Sequence, residues 1–259
     1  MRIRRNVTVY GLGRVGFLDE LRGLCVILMV IYHGMYNLIF IFNIAVPLFD
    51  SQPMLMAQRF FMGLFVVISG ISCRYSKSNL KRGLKAFAIA LAITAVSIFA
   101  MPGQAIYFGV LHFLGTGMIL YGLLHRHLDE LPAFFGFFIM IILAVFTWGI
   151  PRGTVGLPWL FTLELPRFLY DVGFLFPLGF VGSGFSSADY VPIFPWIFVY
   201  LAATYFGMLF TEGHMPAAAY RTHSSTLAFV GRKALIIYVL HQPILLGLMF
   251  LIFNVLLVN

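Results

Sequence analysis

Arg22 and His33 are the side chains whose spacing first suggests chemistry, because ten residues of a largely apolar segment separate them. Eleven helical steps of about 100° return to nearly the same azimuth, so both side chains would project from one helix face. Asp19 lies three residues before Arg22, where it can form an ion pair. Asn37 lies four residues after His33 and could orient the imidazole by a hydrogen bond. Because an imidazole titrates near neutral pH, we predict a catalytic or proton-handling group of His33, Arg22 and Asn37.

The composition indicates that this helix face lies inside a membrane. Hydrophobic residues make up 61% of the 259 residues and charged residues 10%, whereas a soluble domain is about 25% charged. A soluble enzyme, a disordered chain and a disulfide-rich secreted domain are therefore excluded, and a polytopic membrane protein remains. The net charge of +8 is typical of Lys and Arg retained on the cytoplasmic side and does not indicate nucleic acid. The cysteines and histidines show no spacing typical of a metal site, so no metal is expected.

Segments largely free of charged residues predict an all-α, polytopic transmembrane helix bundle in one domain, residues 1–259. We expect about seven spanning helices, with the turn residues Met101–Gln104 separating the third span from the fourth. The predicted spans are Gly23–Phe49, Pro53–Cys73, two between Ala86 and His125, Leu131–Ile150, Val191–Phe210 and Ala234–Val258.

Charge placement predicts a long external loop over residues 151–190, before helix six. If Val172–Ala188 does not cross the membrane, thirteen Lys and Arg lie in cytoplasmic segments, and only Arg152 and Arg167 lie outside. The N-terminus would then be cytoplasmic and the C-terminus external. The loop is too aromatic for disorder, and whether it dips into the membrane stays open. The first apolar segment is too long for a signal peptide and is interpreted as an uncleaved helix.

Ionisable residues inside the predicted spans are costly and therefore indicate function. From the helical rise, His33 lies ~24 Å above a cytoplasmic helix start near Phe17. Arg59 and His112 lie ~9 Å below the external ends of theirs, whereas Arg22 and His241 lie ~8–11 Å above the cytoplasmic face. We therefore expect two tiers of ionisable residues. The outer tier is formed by His33, Arg59 and His112, and the inner tier is formed by Arg22 and His241.

Structural roles stay open for these groups. His33 and His112 can form hydrogen bonds between helices. His241 precedes Pro243 and can stabilise a kink, and Arg59 can extend its guanidinium to the membrane surface. The three tryptophans are typical of interfacial anchors.

A basic run follows the second predicted span. Retention on the cytoplasmic side is its simplest interpretation. The alternative is a cradle for the phosphates of a nucleotide-bearing donor. The members are Arg74, Lys77, Lys81, Arg82 and Lys85.

Segments that follow one another over nearly the whole chain resemble one family of membrane enzymes. The run Phe17–His33 is similar to the opening of the catalytic domain of heparan-α-glucosaminide N-acetyltransferase and its bacterial relatives. It also resembles the related acyltransferase-3 family, whose first helix carries Arg-x10-His. The other similar segments are Leu64–Ser72, Phe108–Gly115, Phe176–Gly179 with Ser187–Trp196, and Gly231–Pro243.

The resemblance implies transfer of an acetyl or other acyl group from cytoplasmic acyl-CoA to a sugar or glycan acceptor on the far side. It also implies that His33 is the catalytic histidine, as base or acyl carrier, with Arg22 as its motif partner. Together with the tiers, it suggests a donor site, an acceptor site and an oxyanion contact from Arg59 or His112. The donor site would comprise Arg22, Arg74, Lys77, Lys81, Arg82 and His241, and the acceptor site Arg59, His112, Asp189 and Trp196.

Two other classes of function stay open. A transporter could use His33, His112 and His241 as a proton relay, although the chain lacks the internal repeat typical of many transporters. A structural or lipid-binding membrane protein would need no chemistry. For the enzyme, the expected partners are the bilayer, acyl-CoA and an extracytoplasmic glycan, in a bacterial cytoplasmic membrane. Formation of a homo-oligomer stays open.

Overall fold

The computed structural model describes residues 15–253, and this part of the chain is mostly helical. The basic residues Arg2, Arg4, Arg5 and Arg14, and the predicted end of the last helix after residue 253, lie outside it. The helices are α1 (Gly16–Phe40), α2 (Gln52–Ser72), α3 (Asn79–Ala100), α4 (Val110–Leu128), α5 (Ala133–Thr147), α6 (Phe168–Asp171), α7 (Trp196–Thr211), α8 (Ser225–Arg232) and α9 (Ala234–Leu251).

Within residues 15–253, five helical segments are long and apolar enough to cross a membrane, which identifies an integral membrane protein. Two predicted spans do not meet the same requirement. Helix α4 ends in a cluster of two histidines and an arginine, and α7 has only 16 residues. The predicted number of seven spans is therefore not confirmed. The five segments are Gly16–Phe40, Gln52–Tyr75, Asn79–Ala100, Ala133–Arg152 and Ala234–Leu251.

Helix α1 begins at Gly16, next to the start near Phe17 from which the depth of His33 was calculated, whereas the span predicted from the absence of charge began seven residues later, at Gly23. The prediction excluded charged residues, but the charges in the first two turns have partners inside the protein. Asp19 and Arg22 form an ion pair of 2.7 Å. The carboxylate of Glu20 accepts a hydrogen bond of 2.8 Å from the backbone N–H of Ser224. A buried charge is tolerated when it is paired in this way.

Residues 151–190 contain an antiparallel hairpin of β1 (Thr154–Leu157) and β2 (Phe161–Glu164), so the all-α prediction is wrong in this detail. Between residues 172 and 188 the structure has only a short 3-10 turn, which confirms that this stretch is not a spanning helix. The hydroxyls of Tyr170 and Tyr190 donate to backbone carbonyls of Ile150 and Phe176. Burial raises the pKa of both phenols, so they stay protonated as donors.

The described chain forms two compact units. The first unit contains residues up to Ile68 and from Met215 onward, and the second contains Ser69–His214. In the first unit, α8 and α9 both pack against α1. Gly23 of α1 and Gly231 of α8 let these backbones touch, because a Cβ at either position would overlap backbone atoms of the other helix. Small residues are the usual means of such close helix approach in membranes.

The second unit pairs α3 with α4 and α5 with α7. Gly83 and Gly115 bring α3 and α4 together, and Gly136 of α5 accommodates the ring of Tyr205 from α7. Tyr205 also donates a hydrogen bond of 2.8 Å to the Leu128 carbonyl, which helps to satisfy the end of α4. Both pairings depend on these glycines, of which Gly83 lies outside the predicted spans and Gly115 and Gly136 lie inside them.

Candidate functional site

His33 and His241 of the first unit meet between α1 and α9, with their ring planes tilted by 43°. Nδ1 of His33 lies 3.1 Å from Nε2 of His241, and the ring centroids are 4.8 Å apart. Nδ1 of His241 lies 2.7 Å from the carbonyl oxygen of Tyr238. His241 is buried, whereas His33 is partly exposed. The pair is therefore anchored to the α9 backbone at one end and accessible at the other.

One turn after His33, a pair of amide side chains also joins α1 to α9. Nδ2 of Asn37 donates a hydrogen bond of 2.8 Å to Oε1 of Gln242. Asn37 has no exposed surface, and its Oδ1 has no hydrogen-bond partner among the described residues. The predicted hydrogen bond from Asn37 to the His33 imidazole is therefore wrong, because each of the two side chains binds its own counterpart on α9.

The predicted tiers are wrong for His241, which lies beside His33 and was expected lower, with Arg22. The cause is α8, which runs along the first turns of α1 and places Gly231 against Gly23. Because α8 lies beside the first turns of α1, α9 begins beside a later part of α1. His33 lies ten positions after Gly23, and His241 lies ten positions after Gly231, so parallel helices keep the histidines in register. His241 contacts His33, and its predicted role in donor binding stays a prediction.

Arg22 forms the predicted ion pair with Asp19. Its side chain is 19% exposed, so it keeps some access to solvent or ligand. Arg59 of α2 is exposed. Neither position tests the predicted roles in donor and acceptor binding, which stay predictions.

His112 has a structural role at the start of α4. Its Nδ1 accepts a hydrogen bond from the backbone N–H of Gly109, so Nε2 carries the ring proton and faces Thr94 Oγ1 at 3.1 Å. The Thr94 hydroxyl in turn donates to the Ile106 carbonyl. Because both ring nitrogens are occupied within the protein, the predicted acceptor-binding role of His112 is not supported.

Two other predicted acceptor residues also lie in the second unit. Asp189 accepts a hydrogen bond of 3.3 Å from the backbone N–H of Val110 and so helps to satisfy the N-terminus of α4. Trp196 is the first residue of α7 and packs against Trp148, with ring centroids 5.6 Å apart. These contacts are typical of structural roles, and the predicted contacts with an acceptor stay predictions.

The basic run divides into one buried and several exposed side chains. Arg74 is bound inside the second unit, through Nε to the Thr204 carbonyl and through Nη1 to Asp129 at 2.6 Å. The exposed members are Lys77, Lys81, Arg82 and Lys85. A donor could therefore reach these four side chains directly. Arg74 could take part in donor binding only through Nη2, because its Nε and Nη1 are already bound.

Unpaired polar atoms accompany this run in the turn between α2 and α3. Nη2 of Arg74, Oγ of Ser76 and Oδ1 of Asn79 are buried without a hydrogen-bond partner among residues 15–253. Buried polar groups are normally paired, so this turn has unused capacity for a ligand or water. No group of three or more His, Cys, Asp or Glu side chains within the described chain could hold a metal ion.

Sequence reasoning missed Gln242, because apart from Asn37 it considered only ionisable groups inside the predicted spans. The available signal was a polar residue directly after His241 in an otherwise apolar helix. The carbonyl of Tyr238 was also missed. Pro243 removes a backbone N–H, so local hydrogen bonding by nearby polar side chains could have been expected.

Comparison with known families places this geometry in context. The profile described as heparan-alpha-glucosaminide N-acetyltransferase, catalytic, matches residues 14–243. This range includes both histidines, both amides and the basic run. No curated protein and no solved structure gave a significant match. Because the profile covers most of the chain, the chain belongs to the heparan-alpha-glucosaminide N-acetyltransferase catalytic domain family.

Proposed function

We propose that this protein is a membrane acetyltransferase that uses His33 as general base or acyl carrier. The proposed donor is acetyl-CoA or another acyl-CoA at the cytoplasmic face, and the proposed acceptor is an extracytoplasmic sugar or glycan. Family membership supports acetyl transfer. The observation that supports this role is the contact between His33 and His241. From this contact we infer which ring nitrogen of His33 is free to react.

The hydrogen-bond chain assigns the ring protons. The Tyr238 carbonyl can only accept, so Nδ1 of His241 donates and its Nε2 carries the lone pair. That lone pair accepts the Nδ1 proton of His33. Nε2 of His33 is thus the nitrogen with a lone pair, and His241 acts as a positioning residue.

This tautomer suits acyl transfer. Nε2 of His33 takes the proton from the acceptor hydroxyl or amine as the acceptor attacks the thioester carbonyl. The C–S bond then breaks, and the imidazolium returns the proton to the leaving CoA thiolate. In the covalent variant, the same nitrogen attacks the thioester carbonyl, the C–S bond breaks and the CoA thiolate leaves. The acceptor then attacks the acyl-imidazole, the C–N bond breaks, and the acceptor proton passes through His33 to the thiolate. In both routes, Nδ1–H bonded to His241 stabilises the imidazole when it becomes positively charged, as the orienting carboxylate does in hydrolase triads.

The exposed cations of the basic run are the proposed contacts for the CoA phosphates. Lys77, Lys81 and Arg82 lie at the end of α2 and the first turn of α3, beside the unpaired atoms of Arg74 and Ser76. Cations and hydroxyls are the groups that bind phosphate. The residues present therefore fit a nucleotide-bearing donor.

CoA is expected to raise the thermal unfolding midpoint of the detergent-purified protein, because a ligand that binds only the folded state stabilises it. Lys81→Gln combined with Arg82→Gln should reduce this shift, and added salt should reduce it further because exposed charges are screened. Arg152→Gln with Arg167→Gln is the control for loss of two exposed cations elsewhere. An equal CoA shift in both double variants would remove Lys81 and Arg82 from the donor site.

We also propose that the N-terminus is cytoplasmic and that residues 151–190 are external, because of the thirteen-to-two division of Lys and Arg. Ser186 and Ser225 are exposed and lie on opposite sides in this topology. An impermeant thiol reagent should label Ser186→Cys in intact cells and should label Ser225→Cys only after lysis. Both native cysteines are buried and give a low background. The reverse pattern, or equal labelling, would overturn the topology.

A further inference from the structure

The hairpin of β1 and β2 is amphipathic. Side chains alternate between the faces of a strand, and cross-strand partners share a face. The register pairs Val155 with Leu163 and Leu157 with Phe161, so these four apolar side chains share one face. The other face carries Thr154 paired with Glu164 and Gly156 paired with Thr162.

The apolar side of this hairpin is exposed. Trp159 and Leu160 at the tip are 93% and 77% exposed, and Leu163 on β2 is 57% exposed. Isolated exposed apolar residues are ordinary, but a contiguous group with a tryptophan at its tip indicates an interaction surface. The exposure is thus concentrated on one edge of a defined structural element.

The position of the hairpin identifies its partner. β1 begins two residues after the apolar segment Ala133–Arg152, so the hairpin lies where a membrane-crossing helix would leave the bilayer. Phe161 of β2 contacts Phe146 of α5, with ring centroids 6.3 Å apart. The apolar face of the hairpin is thereby continuous with the side of a helix that faces lipid.

The charges around the hairpin indicate what kind of lipid contact this is. Arg152 and Arg167 are matched by Glu164 and Asp171, so residues 151–172 carry no formal net charge. Attraction to anionic headgroups therefore contributes little. Burial of apolar surface at the membrane–water boundary, where tryptophan is enriched, is the remaining driving force.

We propose that the hairpin Thr154–Glu164 is an interfacial anchor, with its apolar face and Trp159 inserted among the lipids and its polar face toward water. This surface shares no residue with the histidine pair, and the proposal does not depend on the proposed transferase activity. It predicts that neighbouring residues of β2 experience opposite environments.

Leu163→Cys and Thr162→Cys form a matched pair for the test, because they are adjacent and lie on opposite faces. Each is labelled with an NBD fluorophore in the full-length protein, reconstituted in phosphatidylcholine vesicles. The label at 163 should emit at shorter wavelength and lose intensity in brominated lipid. The label at 162 should instead be quenched by aqueous iodide. The unmodified protein controls for labelling of Cys25 and Cys73, which are buried.

Three results would overturn the anchor: aqueous quenching of both labels, equal lipid quenching of both, or shielding of the 163 label from both quenchers. The third result would indicate a protein partner, such as a second copy of the chain. Leu160→Cys at the tip repeats the measurement if Leu163→Cys does not fold, and it should behave as Leu163→Cys does. Replacing half of the lipid with an anionic one should leave the quenching unchanged.

Discussion

His33→Ala should lower the rate of acetyl transfer by about 10²–10⁴-fold, the range that general acid–base groups usually contribute. The reason is loss of Nε2, the nitrogen that the hydrogen-bond chain leaves as the proton acceptor. CoA-dependent stabilisation should persist, because the proposed donor contacts belong to the basic run. The measurement compares transfer rate and CoA-induced thermal shift in the same purified preparation.

Controls separate catalysis from structure at this position. His33→Asn keeps an N–H that can donate to His241 but supplies no base, so it should be as slow as the alanine variant. His241→Gln retains an oxygen that accepts the Nδ1 proton of His33, and it should keep more turnover than His241→Leu at an unchanged KM. Recovery of turnover in His33→Asn would assign His33 a structural role.

Gly231→Ala is expected to destabilise the protein by about 1–3 kcal/mol, the usual cost of overpacking. A Cβ at this position would overlap the backbone carbonyl of Asp19, and backbone cannot rotate away as a flexible side chain can. The helices α1 and α8 would have to separate. Since α8 sets the position of α9, the histidine contact should also lengthen, and transfer should fall together with the unfolding temperature.

Gly247→Ala is the matched control, because this glycine lies in α9 and a Cβ there meets nothing within 4 Å. Alanine is the better helix former by roughly 0.5–1 kcal/mol, so this variant should be neutral or slightly more stable. Equal unfolding temperatures for the two variants would show that close contact at Gly231 does not limit stability.

The sequence predicted local geometry on one helix well. The ion pair of Asp19 and Arg22 follows from their three-residue spacing, and the structure confirms it. A continuous α1 carrying Arg22, His33 and Asn37 was predicted as well. These features depend only on helical periodicity, which a single segment specifies.

Contacts between helices were less predictable. The pairing of His33 with His241 depends on where α9 begins relative to α1, and the charge-based boundaries placed α8 in a cytoplasmic loop. Glu20 holds the start of α8 beside α1, through the backbone N–H of Ser224. A carboxylate among apolar residues signals a partner, but its position in the sequence does not say which backbone it will bind.

His112 shows a different limit. A histidine three residues after Gly109 can accept a hydrogen bond at a helix start, and the structure contains that bond. The spacing alone was also compatible with a ligand-binding histidine, because the second partner, Thr94, lies on another helix.

The hairpin was interpreted only as an aromatic loop, although the alternation in Phe161–Glu164 is typical of a strand.

The most direct test of the proposed function is acetyl transfer by the purified protein in vesicles, supplied with radiolabelled acetyl-CoA and a panel of amino sugars and glycans. We expect release of CoA that depends on the acceptor, with one labelled acetyl group in the product for each CoA released. His33→Ala, measured in parallel, should show both at a rate about 10²–10⁴-fold lower. Transfer by His33→Ala at the wild-type rate, or no acceptor-dependent release by the wild-type protein across the panel, would contradict a transferase that depends on His33.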